Sequence, residues 1–324
     1  MSQQNHKEQI QPKALSSEEA LASLYSSLDD LVALRFHVKQ YKLNSQQKVL
    51  EQTSGGHPSL RKGSGMIFSE VRQYQPGDDI RHIDWRVSAR TQKVHTKVFS
   101  EEHEKPVLLV TEQSPALFFG SRVQLKAAQA LNVAALLGWI ALHQNDQVGG
   151  MAFNQTQQAW IAPKRQSRTL LQWFHQALHL QHQLKQPGTT TPEPWQQACQ
   201  QLSRQLRPGS KIFLIGDLLN FNDATLDQLR NLRKQAEITA IHIYDPLEKN
   251  LPQQGWLSFT SGWFSDRILP LNSAQKTIRS RYRHNYVSRW QALQKRLQTL
   301  HIPLVEVSTQ QAALPQLIQH RVIQ

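Results

Sequence analysis

What the chain lacks narrows it first. There is one cysteine in 324 residues, Cys199. No intrachain disulfide can form, so a reducing compartment is expected. Cys199 sits in WQQACQQL at a helical core spacing, which predicts a buried, inert thiol. No run of about 20 apolar residues exists, the length a membrane-spanning helix needs. The best candidate, ALNVAALLGWIAL at 130–142, is too short and predicts a buried helix. The opening MSQQNHKEQIQPKALSSEEA has no apolar core of the secretory kind, so a soluble, cytoplasmic protein is expected.

Catalytic signatures are missing too. There is no Gly-x-x-x-x-Gly-Lys-Ser/Thr, hence no P-loop of its own. Ser114 lacks the Gly-x-Ser-x-Gly of a nucleophile elbow. His-Glu-x-x-His is absent. His57, His82 and His95 have no zinc-ligand spacing and no cysteine near them. His179 and His182 lie on a Gln-rich helical stretch where exposure is the default. A non-enzymatic role is the expectation.

Basic charge is present in excess. Lys and Arg number 37 against 24 Asp and Glu, a net charge of +13. That favours acidic partners, although the basic residues form no single block. Charged residues are only 19%, because glutamine supplies much of the polarity.

Residues 1–14 are polar and aperiodic, as in a disordered tail. A helix is expected from about residue 15 to Lys42, with Ser16 or Ser17 as its cap and Leu21, Leu24, Leu28, Leu31 and Leu34 on one face. Residues 51–65 form a Gly- and Ser-rich loop. MIFSEVRQY predicts a strand, Pro-Gly-Asp-Asp a turn, and IRHIDWRVSART and KVHTKVFSEEHE two more strands. Together 15–103 make an N-terminal helix and small β unit. From 104 to 324 strands and helices alternate: KPVLLVTE, then a long helix, QVGGMAFN, QAWIAP, two helices, SKIFLIGD, a helix, ITAIHIYD, a β-like stretch, a basic helix, PLVEVST and a last helix. This spacing predicts an α/β domain with a mostly parallel central sheet and helices on both faces. Ligand sites in such folds lie at the carboxyl ends of the strands. There stand Glu112 and Ser114 after VLLV, Asp217 after KIFLIG, and Asp245-Pro246-Leu247-Glu248 after AIHIY. Oxygen side chains at three strand ends suit a hard divalent cation; they also suit helix caps and turns.

The string PSLRKGSGMIFSEVRQYQPGDDIRHIDWRVSARTQKVHTKVFSEEHEKPVLLV resembles the core of the domain of unknown function 58 family. The matching pieces are Phe68–Tyr74, Pro76–Asp79, Arg81, Ile83–Trp85 and Ser88–Arg90. IYDPLEKNLPQQG at 243–255 resembles the family's Asp-Pro-x-Glu element. The resemblance implies a von Willebrand factor A-like fold and a partnership with MoxR-type AAA+ ATPases. A role in complex assembly or metal-insertion chaperoning follows, with other A-domain proteins as further partners. Related A-domains bind partners through a metal-ion-dependent adhesion site built from Asp-x-Ser-x-Ser, a distant Thr and a distant Asp. Here that position reads Glu112-Gln113-Ser114-Pro115-Ala116. Glu112 is one methylene too long, and Ala116 has no oxygen. Asp217 fits the distant Asp, and Thr191 or its neighbours Thr189 and Thr190 the Thr. The resemblance therefore implies a degenerate site of Glu112, Ser114, Thr191 and Asp217, able at most to take Mg²⁺ weakly.

Two more groups need a role. The charged stretch 72–91 predicts a structural and interface knot. In it Asp78, Asp79 and Asp84 face Arg72, Arg81, Arg86 and Arg90, strands pair across Pro76-Gly77, and Trp85 anchors the unit. The helix around 279–296 carries Arg279, Arg281, Arg283, Arg289 and Arg296 interleaved with Tyr282, Tyr286 and Trp290. Nucleic-acid or anionic-surface binding uses this mix. However, Tyr282, Tyr286, Trp290, Leu293 and Leu297 fall on one stripe, which predicts packed aromatics and an arginine rim for an acidic partner.

Overall fold

The computed structural model describes residues 24–44, 66–101, 106–184, 193–260 and 268–324. The expected tail at 1–14, the caps Ser16 and Ser17, and the loop 51–65 lie outside these residues. The chain divides into two compact units. One contains residues 24–44 with 106–324, and the other contains 66–101.

In the larger unit six strands of one sheet alternate with helices as expected. The strands are β3 (Pro106–Glu112), β4 (Gln147–Phe153), β5 (Gln158–Lys164), β6 (Ser210–Gly216), β7 (Ala236–Tyr244) and β10 (Leu304–Ser308), joined in the order β10-β7-β6-β3-β4-β5. All neighbours are parallel except β4 and β5. The hairpin β8 (Trp256–Thr260) and β9 (Ile268–Asn272) forms a separate antiparallel pair. The helices are α1 (Leu28–Ala33), α3 (Lys126–His143), α4 (Ser167–His182), α5 (Glu193–Gln205), α6 (Asp223–Arg233), α7 (Pro246–Lys249), α8 (Lys276–Thr299) and α9 (Ala313–Gln319). The intervening α2 belongs to the smaller unit.

Period-two burial gives the sheet two apolar faces. Val107 and Leu109 join Phe213, Ile215 and Ile241 in a cluster with the buried residues of α3 and α4. Leu108 and Val110 join Met151, Ile212 and Leu214 in a second cluster with Trp195, Leu229, Leu293 and Leu297 from α5, α6 and α8. The arrangement is the α/β, helix-covered, mostly parallel sheet that the alternation predicts. Among the described residues no helix is long and apolar enough to cross a membrane. Cys199 is buried on α5, and burial pushes its thiol up to about 12.

Of the helix expected over 15–42, residues 15–23 lie outside the described residues; from Leu24 to Lys42 the helical structure is α1 and a 3₁₀ turn at Leu34–His37. Ser27 caps α1, with Asp30 returning the bond in a capping box. The chain then leaves the helix, so that Val38 and Leu43 are buried and Leu43 bridges Ile323. Trp139 of α3 donates its indole N–H to the Leu31 carbonyl at 2.9 Å. This segment thus packs against α3 and the chain's last residues within the larger unit.

The smaller unit corrects the reading of 80–91. β1 (Met66–Gln73) pairs antiparallel with β2 (His95–Glu101), and the segments flanking Pro76-Gly77 do not pair. IRHIDWRVSART is a 3₁₀ turn at Ile80–His82 followed by α2 (Trp85–Thr91). Local capping overrides the apparent alternation of apolar residues. Asp79 accepts the Arg81 N–H at 3.0 Å, and Asp84 accepts those of Arg86 and Val87 at 3.1 Å each. Asp78 closes the turn, accepting the Gln75 N–H at 3.0 Å and Arg72 Nη2 at 2.6 Å. Gly77 sits at φ 107, where side chains are disfavoured.

Of the expected ion pairs only Arg72–Asp78 forms, while Lys97 rather than an arginine lies 3.7 Å from Asp84. Arg81, Arg86 and Arg90 are exposed and make no ion pair among the described residues. Trp85 is 68% exposed. Removing the Asp84 cap should therefore lower the melting temperature and speed amide exchange at Arg86 and Val87, whereas Arg81→Ala should leave both unchanged. Thermal melts with site-resolved hydrogen exchange check this pair, and an Arg81→Ala defect equal to that of Asp84→Ala would reverse the assignment.

Candidate functional site

β3 and β6 are neighbours although β4 and β5 intervene in sequence. The sheet's winding direction changes between them, and in open α/β sheets ligand sites lie at the carboxyl ends of strands at such a point. β3 ends on Glu112 and β6 on Gly216, so Glu112 and Asp217 meet there. Glu112 is buried and accepts three hydrogen bonds: Ser114 Oγ at 2.5 Å, Trp195 Nε1 at 3.0 Å and the Asp217 N–H at 2.9 Å. A Cβ on Gly216 would lie 2.6 Å from Glu112 Oε2 and 2.9 Å from Trp195, so only glycine admits this packing.

Asp217 and Glu248 share one cation. Lys126, the first residue of α3, is fully buried. Its Nζ donates to Asp217 Oδ2 at 2.9 Å and Glu248 Oε1 at 2.8 Å. Burial works against its charge, but the two carboxylates outweigh burial and hold its pKa above the ordinary lysine range. Burial likewise opposes the Asp217 charge, and Lys126 above all, with Arg289 further off, overcomes it, keeping Asp217 below the usual range. His242 is pushed down to about 4, chiefly by burial. Its Nδ1 accepts the Leu218 N–H at 3.2 Å, as a neutral ring does. Glu112 is pushed up to about 7, by burial first and then by the charge of Asp217.

Asp245 ties the surrounding loops. Its carboxylate accepts the Ser121 N–H at 2.9 Å, the Thr309 hydroxyl at 2.6 Å and the Leu247 N–H at 2.9 Å. Glu248 Oε2 accepts the Asp245 N–H at 2.9 Å, completing a capping box.

The middle of α8 stands at the same end. Arg289 Nη2 reaches the Leu219 carbonyl at 3.3 Å, and Trp290 lies against His242 with ring centroids 5.4 Å apart. Tyr282, Tyr286 and Trp290 are half-buried and Leu293 and Leu297 buried, on the expected stripe. Arg279 is committed to the Ser273 and Ala274 carbonyls at 2.5 and 2.7 Å. Arg281 and Arg283 are exposed. Two clefts, of about 510 and 750 Å³, lie elsewhere, one lined by Gln197 and Arg204 and the other by Tyr25 and His175.

A family model described as "Protein of unknown function DUF58" matches residues 70–292. The chain belongs to this family. Uncharacterized proteins of Mycobacterium bovis and Mycobacterium tuberculosis are each 28% identical over 221 residues, 67% of this chain and 67% of their own. The uncharacterized protein YeaD of Bacillus subtilis is 24% identical over 104 residues, 32% of this chain and 26% of its own. Among solved structures, a conserved hypothetical protein BatB from Bacteroides thetaiotaomicron overlaps 67% of this chain and 96% of its own, at 11% identity and a TM-score of 0.37.

The DUF58 match spans both the charged fingerprint and the buried centre. Of the degenerate metal set, Glu112, Ser114 and Asp217 come together, while Thr191 lies outside the described residues. Their donors do not fit a divalent cation. Both oxygens of Glu112 are occupied, the Ser114 hydrogen points at Glu112, and Lys126 holds Asp217 Oδ2. Asp217 Oδ1 accepts the Leu219 N–H at 3.2 Å. Among the described residues no three His, Cys, Asp or Glu side chains are arranged to hold a metal. Sequence reasoning passed over Lys126, Trp195 and His242. Lys126 had a signal: apart from the terminal His143, it is the sole ionisable residue in an Ala- and Leu-rich helix.

Glu112 gives the site a pH signature. Its folded value of about 7 exceeds the ordinary 4.5. The folded state therefore binds the extra proton between these values, and its stability falls as pH rises through that window. Glu112→Gln mimics the protonated form and keeps all three contacts, with Ser114 accepting instead of donating. The variant should match the wild type near pH 4 and exceed it above pH 7 by about 3 kcal/mol. The opposite slope from His242 is common to both proteins and cancels in the difference. Denaturant melts at pH 4, 6 and 8 check this; a gap that does not widen with pH would refute it.

Proposed function

We propose that this DUF58 protein is a non-catalytic interaction module. Its partner-binding face is the carboxyl end of the sheet, rimmed by the arginines of α8. One observation carries the reading: the chemically capable side chains at that end are already bound to one another, while Arg281 and Arg283 beside them are exposed. The Ser114 hydroxyl is held by Glu112, which Trp195 and the Asp217 N–H also bind in the interior, His242 is neutral and buried, and Lys126 is locked between two carboxylates. A face with satisfied chemistry and free cations suits docking to an acidic surface, with electrostatic steering of the encounter. The resemblance makes a MoxR-type AAA+ ATPase the first partner to test, in complex assembly or metal-insertion chaperoning. Other A-domain proteins follow.

Nucleic acid is the competing partner. Stacking on bases needs presented aromatic faces, and Tyr282, Tyr286 and Trp290 are turned against the domain. An acidic protein is therefore favoured.

Affinity capture from a native lysate should recover an AAA+ ATPase with the wild-type chain. Arg281→Glu/Arg283→Glu should weaken that capture by roughly tenfold or more, with a steep salt dependence, and leave the melting temperature unchanged. Recovery of no ATPase in either ATP- or ADP-loaded lysate would sink the reading. Salt-steep duplex DNA binding lost on the same charge reversal would favour nucleic acid instead.

A further inference from the structure

A second consequence of the buried centre concerns metal. Asp217 and Glu248 come from two different strand ends, β6 and β7, and converge on one point. Convergent carboxylates repel unless a cation lies between them. In metal-dependent A-domains a divalent ion supplies that charge. Here the point is filled by Lys126 Nζ, 2.9 and 2.8 Å from the two carboxylates and fully buried.

We infer that Lys126 is a built-in substitute for the divalent cation, so that this centre is self-contained and excludes Mg²⁺, Mn²⁺ and Ca²⁺. Charge counting supports the substitution. With Glu112 protonated, Lys126 and Arg289 face Asp217 and Glu248, two positive against two negative, and Arg289 is close enough to act on Asp217. A divalent ion entering beside Lys126 would overcharge the site and would find each carboxylate oxygen already accepting a hydrogen bond. The lysine must be absent for metal to enter. Its position at the first turn of α3 also matters. The helix N-terminus is a poor place for a cation, so only the paired carboxylates make it tenable there.

This inference does not depend on the partner reading, because its test uses the isolated chain. Mn²⁺ titration followed by electron paramagnetic resonance, with melts in EDTA and in Mg²⁺, should show no saturable binding by the wild type at ~1 mM and identical melting temperatures. Lys126→Ala opens a cavity between two unbalanced carboxylates. It should melt lower in EDTA, recover with Mn²⁺, and bind Mn²⁺ at least ~100-fold more tightly than the wild type. If Lys126→Ala does not fold, Lys126→Met/Glu248→Gln rebalances the charge and should fold. Failure of that rebalanced variant would overturn the counter-ion role. One-to-one Mn²⁺ binding by the wild type, abolished by Asp217→Asn, would overturn the proposal outright.

Discussion

The carboxyl end of this sheet depends on one buried ammonium. Without Lys126, Asp217 and Glu248 would be two half-buried carboxylates facing each other with no ammonium between them, an arrangement that is costly in proteins. With it, three segments distant in sequence are held together: the start of α3, the residue after β6 and the turn after β7. The remaining contacts are arranged around that pairing. Glu112 accepts the backbone N–H of Asp217, Gly216 leaves room for Glu112, and His242 stays neutral beside a charged Asp217. Removing one partner of such a network is costlier than the network is stabilising, because it strands a charge in the interior.

The two units use aspartate differently. In the smaller one, Asp78, Asp79 and Asp84 bind backbone N–H groups within a few residues, and their arginine neighbours are mostly exposed. In the larger one, Asp217 and Asp245 also bind groups 64 to 124 residues away. The first is turn chemistry that fixes local shape. The second is tertiary chemistry that closes the top of a sheet. Density of charge in sequence is thus a poor guide to where charge is buried: the crowded stretch is largely exposed, while a lone lysine in an apolar helix is fully enclosed.

That contrast explains what was legible beforehand. The strand–helix alternation, the parallel sheet and the apolar stripe of α8 follow from periodicity, which is local and strong. Convergence of Glu112 with Asp217 was legible too, since both follow buried strands. Two things were hidden. Asp84 reads equally well as a charged strand position or as an N-cap, and only the free N–H groups of Arg86 and Val87 decide between them. Lys126 lies fourteen residues beyond Glu112, and no spacing rule says which carboxylates it meets. The family's metal template also directed attention to oxygens, when the missing charge was supplied by nitrogen.

Asp245 carries a mechanical consequence. One carboxylate receives the loop after β3 through Ser121, the loop after β10 through Thr309 and its own turn through Leu247. Three loops pinned to one oxygen pair cannot flex independently. Force applied to any of them passes to the others. A docking protein would therefore meet a surface already set in shape, and would lose little freedom on binding it.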